Sequence, residues 1–138
     1  MIVDASLVID TVADSGWRGR VARTALAAVP AFEPVVAPGH FAFEVMSGLR
    51  AEANRPGHPL TDDEVNRALG DAQNLQIDIE STPWSDVLRA WELAQQPLCY
   101  ADIIYVAAAE RHQTALMTAD SRIERSGAAI RCKVITIR

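Results

Sequence analysis

Short runs of strand-forming residues alternate with longer helix-like segments along this chain, and the alternation constrains its fold more than any other feature. Five such runs occur, at 1–4, 34–37, 77–80, 115–118 and 133–137. Parallel strands need a crossover segment between them, and a helix usually supplies it. The pattern therefore predicts an α/β fold in three layers, with a mainly parallel sheet between helices. We expect residues 1–138 to form one domain, because this length builds a single core.

Several of the intervening segments carry specific helix signals. Thr61 and Glu64 have the spacing of a capping box, and apolar residues recur at helical intervals through 61–75. Residues 17–28 and 40–53 also have helical patterns. We therefore expect a helix in each of these three segments.

Another helix is expected to begin at Thr82, with Pro83 in its first turn. Its apolar residues share one face: Trp84, Val87, Leu88, Trp91 and Ala94. Aromatic residues dominate both cores and interfaces, so the tryptophans of the chain fit either environment. They are Trp17, Trp84 and Trp91.

The segment CYADIIYVAAAE at 99–110 contains the longest stretch of apolar residues among the predicted helices. Every residue from Ile103 to Ala109 is apolar or aromatic, which predicts a helix without a polar face. Such a helix is buried. It carries Asp102, near its start, toward the interior, where a carboxylate needs a partner.

Two further acids follow predicted strands. Asp4 ends the first run, and Asp120 comes two residues after the fourth. Ligands bind beyond the carboxyl ends of strands in such sheets, so we expect both acids at one edge, with Asp102 near them. Each acid alone also fits a structural role, as a helix cap or a first-turn acid. Both interpretations remain open at the level of sequence.

Clustered carboxylates would repel one another or bind cations. Oxygen ligands suit Mg²⁺ or Mn²⁺, whereas His40, His58 and His112 lack the spacing of a zinc site and are expected on the surface or in loops. Cys99 and Cys132 are expected to be reduced core residues.

The net charge of −5 argues against a broad basic surface for nucleic acid. Arginines near the acids could still contact an RNA backbone. The candidates are Arg18, Arg20, Arg23, Arg50, Arg55, Arg122 and Arg125. No apolar run approaches the roughly 18 residues of a membrane span, and the N-terminus has no export pattern, which together predict a cytoplasmic protein.

Four motifs resemble, in order and spacing, those of PIN-domain ribonucleases of the VapC toxin type. They are MIVDAS at 1–6, APGHFAFEV at 37–45, YADIIYVAAAE at 100–110 and LMTADSRI at 116–123. One departure is that Ala101 and Ile103 flank the third acid, where the family often has an aromatic residue immediately before it.

The resemblance implies a PIN-like α/β fold and a metal-dependent endoribonuclease. It assigns Asp4, Glu44, Asp102 and Asp120 as ligands of Mg²⁺ or Mn²⁺, with the hydroxyls of Ser6 and Thr118 nearby. Glu44 rests on this match alone. The resemblance also implies RNA as substrate, a VapB-like antitoxin as partner, and a homodimer.

Two other function classes stay open. A receiver-like signalling domain also uses Mg²⁺ and acids at strand ends, although it would have an acid pair after the first strand, where Asp4 stands alone. A non-catalytic scaffold could keep the same acids to bind a protein partner, since a fold does not establish turnover.

Overall fold

A computed structural model of the chain describes residues 1–94 and 98–138. In these ranges five strands form one sheet in the order β3-β2-β1-β4-β5, and all neighbours are parallel. The strands are β1 Ile2–Val3, β2 Val36–Pro38, β3 Asp78–Glu80, β4 Leu116–Thr118 and β5 Val134–Thr136. Each strand overlaps its predicted run, so the predicted parallel α/β fold is confirmed.

Helices occupy the segments between the strands, as the sequence predicts. They are α1 Ala5–Ala13, α2 Trp17–Ala27, α3 Phe41–Ala53, α4 Asp62–Asn74, α5 Trp84–Leu93, α6 Tyr100–Arg111 and α7 Ser121–Arg125. The capping box of Thr61 and Glu64 is present at the start of α4. Within the described ranges, no helix has both the length and the apolar character that crossing a membrane requires.

The two faces of the sheet carry separate apolar clusters. Successive strand residues point to opposite faces, so Ile2 lies in the large cluster and Val3 in the smaller one. The large cluster includes Ile103 and Val106 of α6, and the smaller one includes Ala22 of α2. Residues of α6 from Val106 to Ala109 are all buried, which confirms that the apolar part of this helix lies inside the protein.

The strand order places a crevice between β1 and β4. The chain proceeds from β1 outward to β3 and then returns to β4 on the other side of β1. This change of direction is a topological switch point, where open α/β sheets bind ligands at the carboxyl ends of their strands. The order also differs from the 2-1-3-4-5 order of receiver-like domains, and the receiver alternative is therefore wrong.

The orientation of α5 decides between the core and the interface interpretation of its apolar face. Its buried residues are Asp86, Ala90 and Leu93, whereas the predicted apolar face is turned to solvent. Asp86 is buried because the guanidinium of Arg111 on α6 donates to both of its carboxylate oxygens, at 2.9 and 3.1 Å from Nε. A paired acid thus lies on the buried side of α5, which begins at Trp84, two residues later than predicted.

The tryptophans lie on the surface. Trp17, Trp84 and Trp91 have exposed fractions of 64%, 79% and 63%, so the core interpretation is wrong and the interface interpretation stays open. Both cysteines are free, and Cys132 is partly buried. Cys99 is exposed, and its expected place in the core is also wrong.

Candidate active site

Asp4 lies at the end of β1 and combines a structural role with a place in the crevice. It is the N-cap of α1, and its Oδ1 accepts hydrogen bonds from the backbone N–H of Leu7 at 3.2 Å and the hydroxyl of Ser6 at 2.6 Å. Its Oδ2 accepts the hydroxyl hydrogen of Thr118. Burial raises the pKa of Asp4, although these hydrogen bonds oppose the effect.

Ser6 and Thr118 connect the ends of β1 and β4. The hydroxyl oxygen of Ser6 accepts the N–H of Ala119 at 3.0 Å, and that of Thr118 accepts the N–H of Asp120 at 2.9 Å. Each hydroxyl therefore donates to Asp4 and accepts from the segment that follows β4. This arrangement holds the two strand ends, and the acids that follow them, in a fixed relation.

Asp102 lies in the first turn of α6, as predicted. Among the residues that the structure describes, its Oδ2 is buried and has no hydrogen-bond partner. Burial raises the pKa of Asp102 to about 6; Arg122 opposes the rise, and Asp120, Asp4 and Glu44 add to it. Asp102 is therefore close enough to the other three predicted acids for their charges to affect it.

Asp120 is the N-cap of α7 and is paired with Arg122. Its Oδ1 accepts a hydrogen bond from the backbone N–H of Arg122 at 2.8 Å, and its Oδ2 accepts one from the Nε–H of the same residue at 2.6 Å. Nη2 of Arg122 lies 2.5 Å from Oδ2 of Asp120 and 3.7 Å from Oδ2 of Asp102. Burial alone would raise the pKa of Asp120, but the contacts with Arg122 hold it below its ordinary value.

Glu44 lies in the first turn of α3 and contacts two side chains without a predicted role in the site. The hydroxyl of Tyr105 donates to Oε2 of Glu44 at 2.6 Å, and Nε2 of His40 lies 3.3 Å from the same oxygen. The rings of His40 and Tyr105 are 4.8 Å apart. Burial raises the pKa of Glu44, but these two contacts outweigh it and lower the pKa overall.

Sequence reasoning missed His40 as a neighbour of Glu44, and it named Arg122 only as a candidate contact to the RNA backbone and not as a partner of Asp120. His40 is the N-cap residue of α3, in agreement with the expected surface or loop position, and its side chain, 28% exposed, lies beside Glu44. The signals available were the spacing of four residues between His40 and Glu44, which places them on adjacent helix turns, and the spacing of two between Asp120 and Arg122.

Several of the candidate arginines have structural partners other than the four acids. Arg18 pairs with Asp10 and Asp14, Arg23 donates to the carbonyls of Thr11 and Asp14, Arg55 pairs with Glu52, and Arg125 donates to Ser121. Arg122 has the contacts with the acids that would make it a candidate for the site.

The sequence profile of the family described as PIN domain matches residues 1–128. This chain belongs to the PIN-domain family. It is 32% identical to "Ribonuclease VapC3" of Mycobacterium tuberculosis over 131 residues, 91% of this chain and 86% of that protein. This relative places the chain among the VapC-type members.

Two solved structures share the PIN fold of this chain. A toxin-antitoxin complex from Klebsiella pneumoniae matches with a TM-score of 0.67 at 24% identity, over 98% of this chain and 95% of that one. VapC20 of Mycobacterium tuberculosis, described as a "Sarcin-Ricin loop cleaving toxin", matches with a TM-score of 0.67 at 18% identity, over 93% of this chain and 95% of that one.

The four acids of this PIN domain provide the kind of ligand atom that a hard divalent cation prefers. They supply carboxylate oxygens, and one buried oxygen, Oδ2 of Asp102, is left without a hydrogen-bond partner among the described residues. Over residues 1–94 and 98–138, no three acidic, histidine or cysteine side chains are close enough to hold an ion as they stand. Asp102 and Asp120 instead lie around the guanidinium of Arg122.

Proposed function

We propose that this chain is a metal-dependent endoribonuclease, the toxin of a VapBC-type toxin-antitoxin system, with residues 1–138 acting as one nuclease domain. The observation that carries the proposal is the buried Oδ2 of Asp102, which has no hydrogen-bond partner among the described residues and is linked through Arg122 to Asp120 at the switch point of the sheet. The relative named as a ribonuclease, VapC3, supports RNA as the substrate.

In this proposal the four acids hold Mg²⁺ or Mn²⁺. Asp4, Asp102 and Asp120 act as ligands, and Glu44 acts as a ligand or orients the attacking water. Ser6 and Thr118 keep the carboxylate of Asp4 in place through the hydrogen bonds described above. Tyr105 holds Glu44 through the hydrogen bond from its hydroxyl, and the ring of His40 lies beside the same carboxylate oxygen.

The reaction is hydrolysis of an RNA phosphodiester. A bound cation would lower the pKa of a water molecule and offset the charge on the phosphoryl oxygens. The water oxygen forms a bond to phosphorus, one of the two backbone ester bonds from phosphorus to oxygen breaks, and the proton that the water loses ends on the leaving oxygen. Glu44 has a lowered pKa, so its carboxylate is ionised near neutral pH and can accept a hydrogen bond from the attacking water.

Cleavage of structured RNA by the purified protein, with Mn²⁺ or with EDTA, tests the proposal. A hairpin with unpaired loop bases is a suitable substrate, because such bases are accessible to proteins. Cleavage that requires Mn²⁺ and is lost in Asp4→Asn and in Asp102→Asn would support the nuclease. Cleavage that continues in EDTA, or in both variants, would contradict it.

A matched control separates loss of the site from loss of charge. Asp71 is exposed on α4, so Asp71→Asn makes the same chemical change outside the acid cluster and should leave cleavage unchanged. Mn²⁺ binding that depends on Asp102, together with no cleavage of any RNA tested, would favour the non-catalytic scaffold instead.

We also propose a VapB-like antitoxin as partner. The toxin-antitoxin complex that shares this fold supports such an assembly. A partner that covers the acids would shield them from both RNA and cation. Titration of a candidate antitoxin should therefore abolish cleavage and Mn²⁺ binding at the same molar ratio, whereas loss of cleavage alone would place the partner away from the acids.

A homodimer is the third part of the proposal, and the exposed face of α5 supports it. Trp84, Leu88 and Trp91 are each more than 60% exposed there, and aromatic side chains provide about 150 to 250 Å² each when buried. This face can supply a large part of the roughly 800 Å² per subunit of a typical interface.

The charges of α5 are consistent with self-association. Asp86 is buried against Arg111, and Arg89 pairs with both Glu92 and Glu110. These five side chains together carry a net charge of −1, so most of the charge near this face is already paired within the subunit, although the whole chain carries a net charge of −5.

A further inference from the structure

The guanidinium of Arg122 lies where the proposed site has most need of positive charge. It contacts Asp120 through Nε at 2.6 Å and lies 3.7 Å from the buried, unpartnered Oδ2 of Asp102. These two acids come from different elements, α6 and the start of α7, so one side chain offsets the repulsion between acids that the sequence places 18 positions apart.

We propose that Arg122 holds the place of the cation in the metal-free site, and that metal binding moves its guanidinium outward to contact the RNA phosphate. The inference rests on the proposed function. Two cations near the same carboxylates repel each other strongly, so the guanidinium and a divalent ion would not share Asp102 and Asp120.

The surroundings of Arg122 permit this movement. Its side chain is 64% exposed, and its backbone N–H remains bonded to Oδ1 of Asp120 whatever the guanidinium does. The cap of α7 would therefore survive when the side chain leaves. In contrast, Arg89 and Arg111 are bound within the α5–α6 contact and have exposed fractions of 17% and 33%.

An arginine at the edge of the site has the chemistry to contact an RNA phosphate once its guanidinium has moved outward. A guanidinium donates two parallel hydrogen bonds to a phosphate, which fixes the orientation of the group. Because Arg122 is anchored beside Asp120, an outward rotation keeps its guanidinium next to the crevice. Arg122, released from the two acids when the cation binds, would thus contact the scissile phosphate.

Mn²⁺ binding to the purified protein without RNA tests the first half. We expect Arg122→Gln to bind Mn²⁺ about tenfold more tightly than the unsubstituted protein, since removing the guanidinium frees a charge-assisted contact. Isothermal titration calorimetry measures this directly. Arg67→Gln is the matched control, because Arg67 is exposed on α4 and the charge change is the same.

RNA cleavage at saturating Mn²⁺ tests the second half. Arg122→Gln should raise KM for the RNA about tenfold. Arg122→Lys should raise KM by a smaller factor, because lysine provides a point charge without the paired donors. Thermal unfolding of both variants checks that the fold is intact. An unchanged KM in Arg122→Gln would overturn the phosphate contact.

The metal-binding outcomes separate this inference from the proposed function. If Mn²⁺ binding depends on Asp102 but is no tighter in Arg122→Gln than in Arg67→Gln, the inference is overturned and the proposed function is not. Absence of Asp102-dependent binding in the unsubstituted protein would overturn both.

Discussion

Thr118 donates its hydroxyl hydrogen to Oδ2 of Asp4, and this bond joins two positions 114 residues apart in the sequence. The sheet register explains the contact. Val3 of β1 pairs with Met117 of β4 in parallel, which brings the next residue of each strand side by side. The same hydroxyl oxygen accepts the N–H of Asp120, so one side chain serves two of the four predicted acids.

Substitution of Thr118 should therefore affect the stability of the protein. Thr118→Val keeps the shape but leaves a buried oxygen of Asp4 and the N–H of Asp120 without this partner, which should lower the free energy of unfolding by about 1 to 3 kcal/mol. Thr118→Ser retains the hydroxyl and should cost less. Urea denaturation measures both variants. Equal stability of the Val and Ser variants would show that the hydroxyl has no such role.

The burial of Asp102 predicts that its ionised carboxylate lowers the stability of the folded protein. Its pKa is raised from 3.8 to about 6 by burial first and by the neighbouring acids, so the folded state holds this proton more tightly than the unfolded state does. The protein should consequently lose stability as pH rises between these two values. Asp102→Asn, which never ionises, should be more stable at pH 8 by about 1 to 3 kcal/mol.

Chemical denaturation at pH 4 and pH 8, without divalent cations, measures this effect. The advantage of Asp102→Asn should be small at pH 4, where Asp102 is largely protonated, and near its full size at pH 8. Asp71→Asn serves as the control. A pH-independent difference between Asp102→Asn and the unsubstituted protein would rule out the raised pKa as its origin.

Tyr105 should fix the orientation of Glu44. Tyr105→Phe removes the 2.6 Å hydrogen bond and nothing else of the side chain, so we expect cleavage at saturating Mn²⁺ to fall about tenfold while the fold loses only about 1 kcal/mol. Tyr100→Phe is the control on the same helix, since Tyr100 is 68% exposed. Equal cleavage rates in the two variants would argue against the positioning of Glu44 by Tyr105.

The ion pair between Asp86 and Arg111 should contribute strongly to the docking of α5. Arg111→Met leaves the carboxylate of Asp86, which is only 2% exposed, without its main partner, and should lower the free energy of unfolding by about 3 to 5 kcal/mol. The double variant Asp86→Leu/Arg111→Met should recover much of this loss. Denaturation curves measure the stability of both variants. Coinciding curves would show that the unpaired charge of Asp86 is not the cause of the lost stability.

The exposed face of α5 should determine the oligomeric state. Leu88→Glu places a charge in the middle of this face and should convert a dimer into a monomer, as measured by light scattering after size-exclusion chromatography. Phe32→Glu is the control, because Phe32 is 90% exposed outside α5. A dimer that persists in Leu88→Glu would place the interface elsewhere.

Local features of the sequence were sufficient for most of the fold. The alternation of strands and helices, the capping box of Thr61 and Glu64, and the unbroken apolar stretch after Asp102 all depend on residues within a few positions of one another. The positions of Asp4 and Asp120 after predicted strands also followed from the chain, since parallel strands end at one edge. Glu44 required the resemblance to the family, because its partner Tyr105 is 61 positions away.

The tertiary structure alone decided which side chains these acids and helix faces contact. Hydrophobic spacing placed the tryptophans of α5 on one face and left open whether that face is core or interface, and the structure turns it to solvent while Asp86 is buried against Arg111. The positions of Arg122 between two acids and of His40 beside Glu44 depended on how α3, α6 and α7 meet at the edge of the sheet. The sequence by itself determined the elements and the acids, because periodicity acts over single turns. The partners of those acids required the packed chain, because charge pairing acts through space between distant segments.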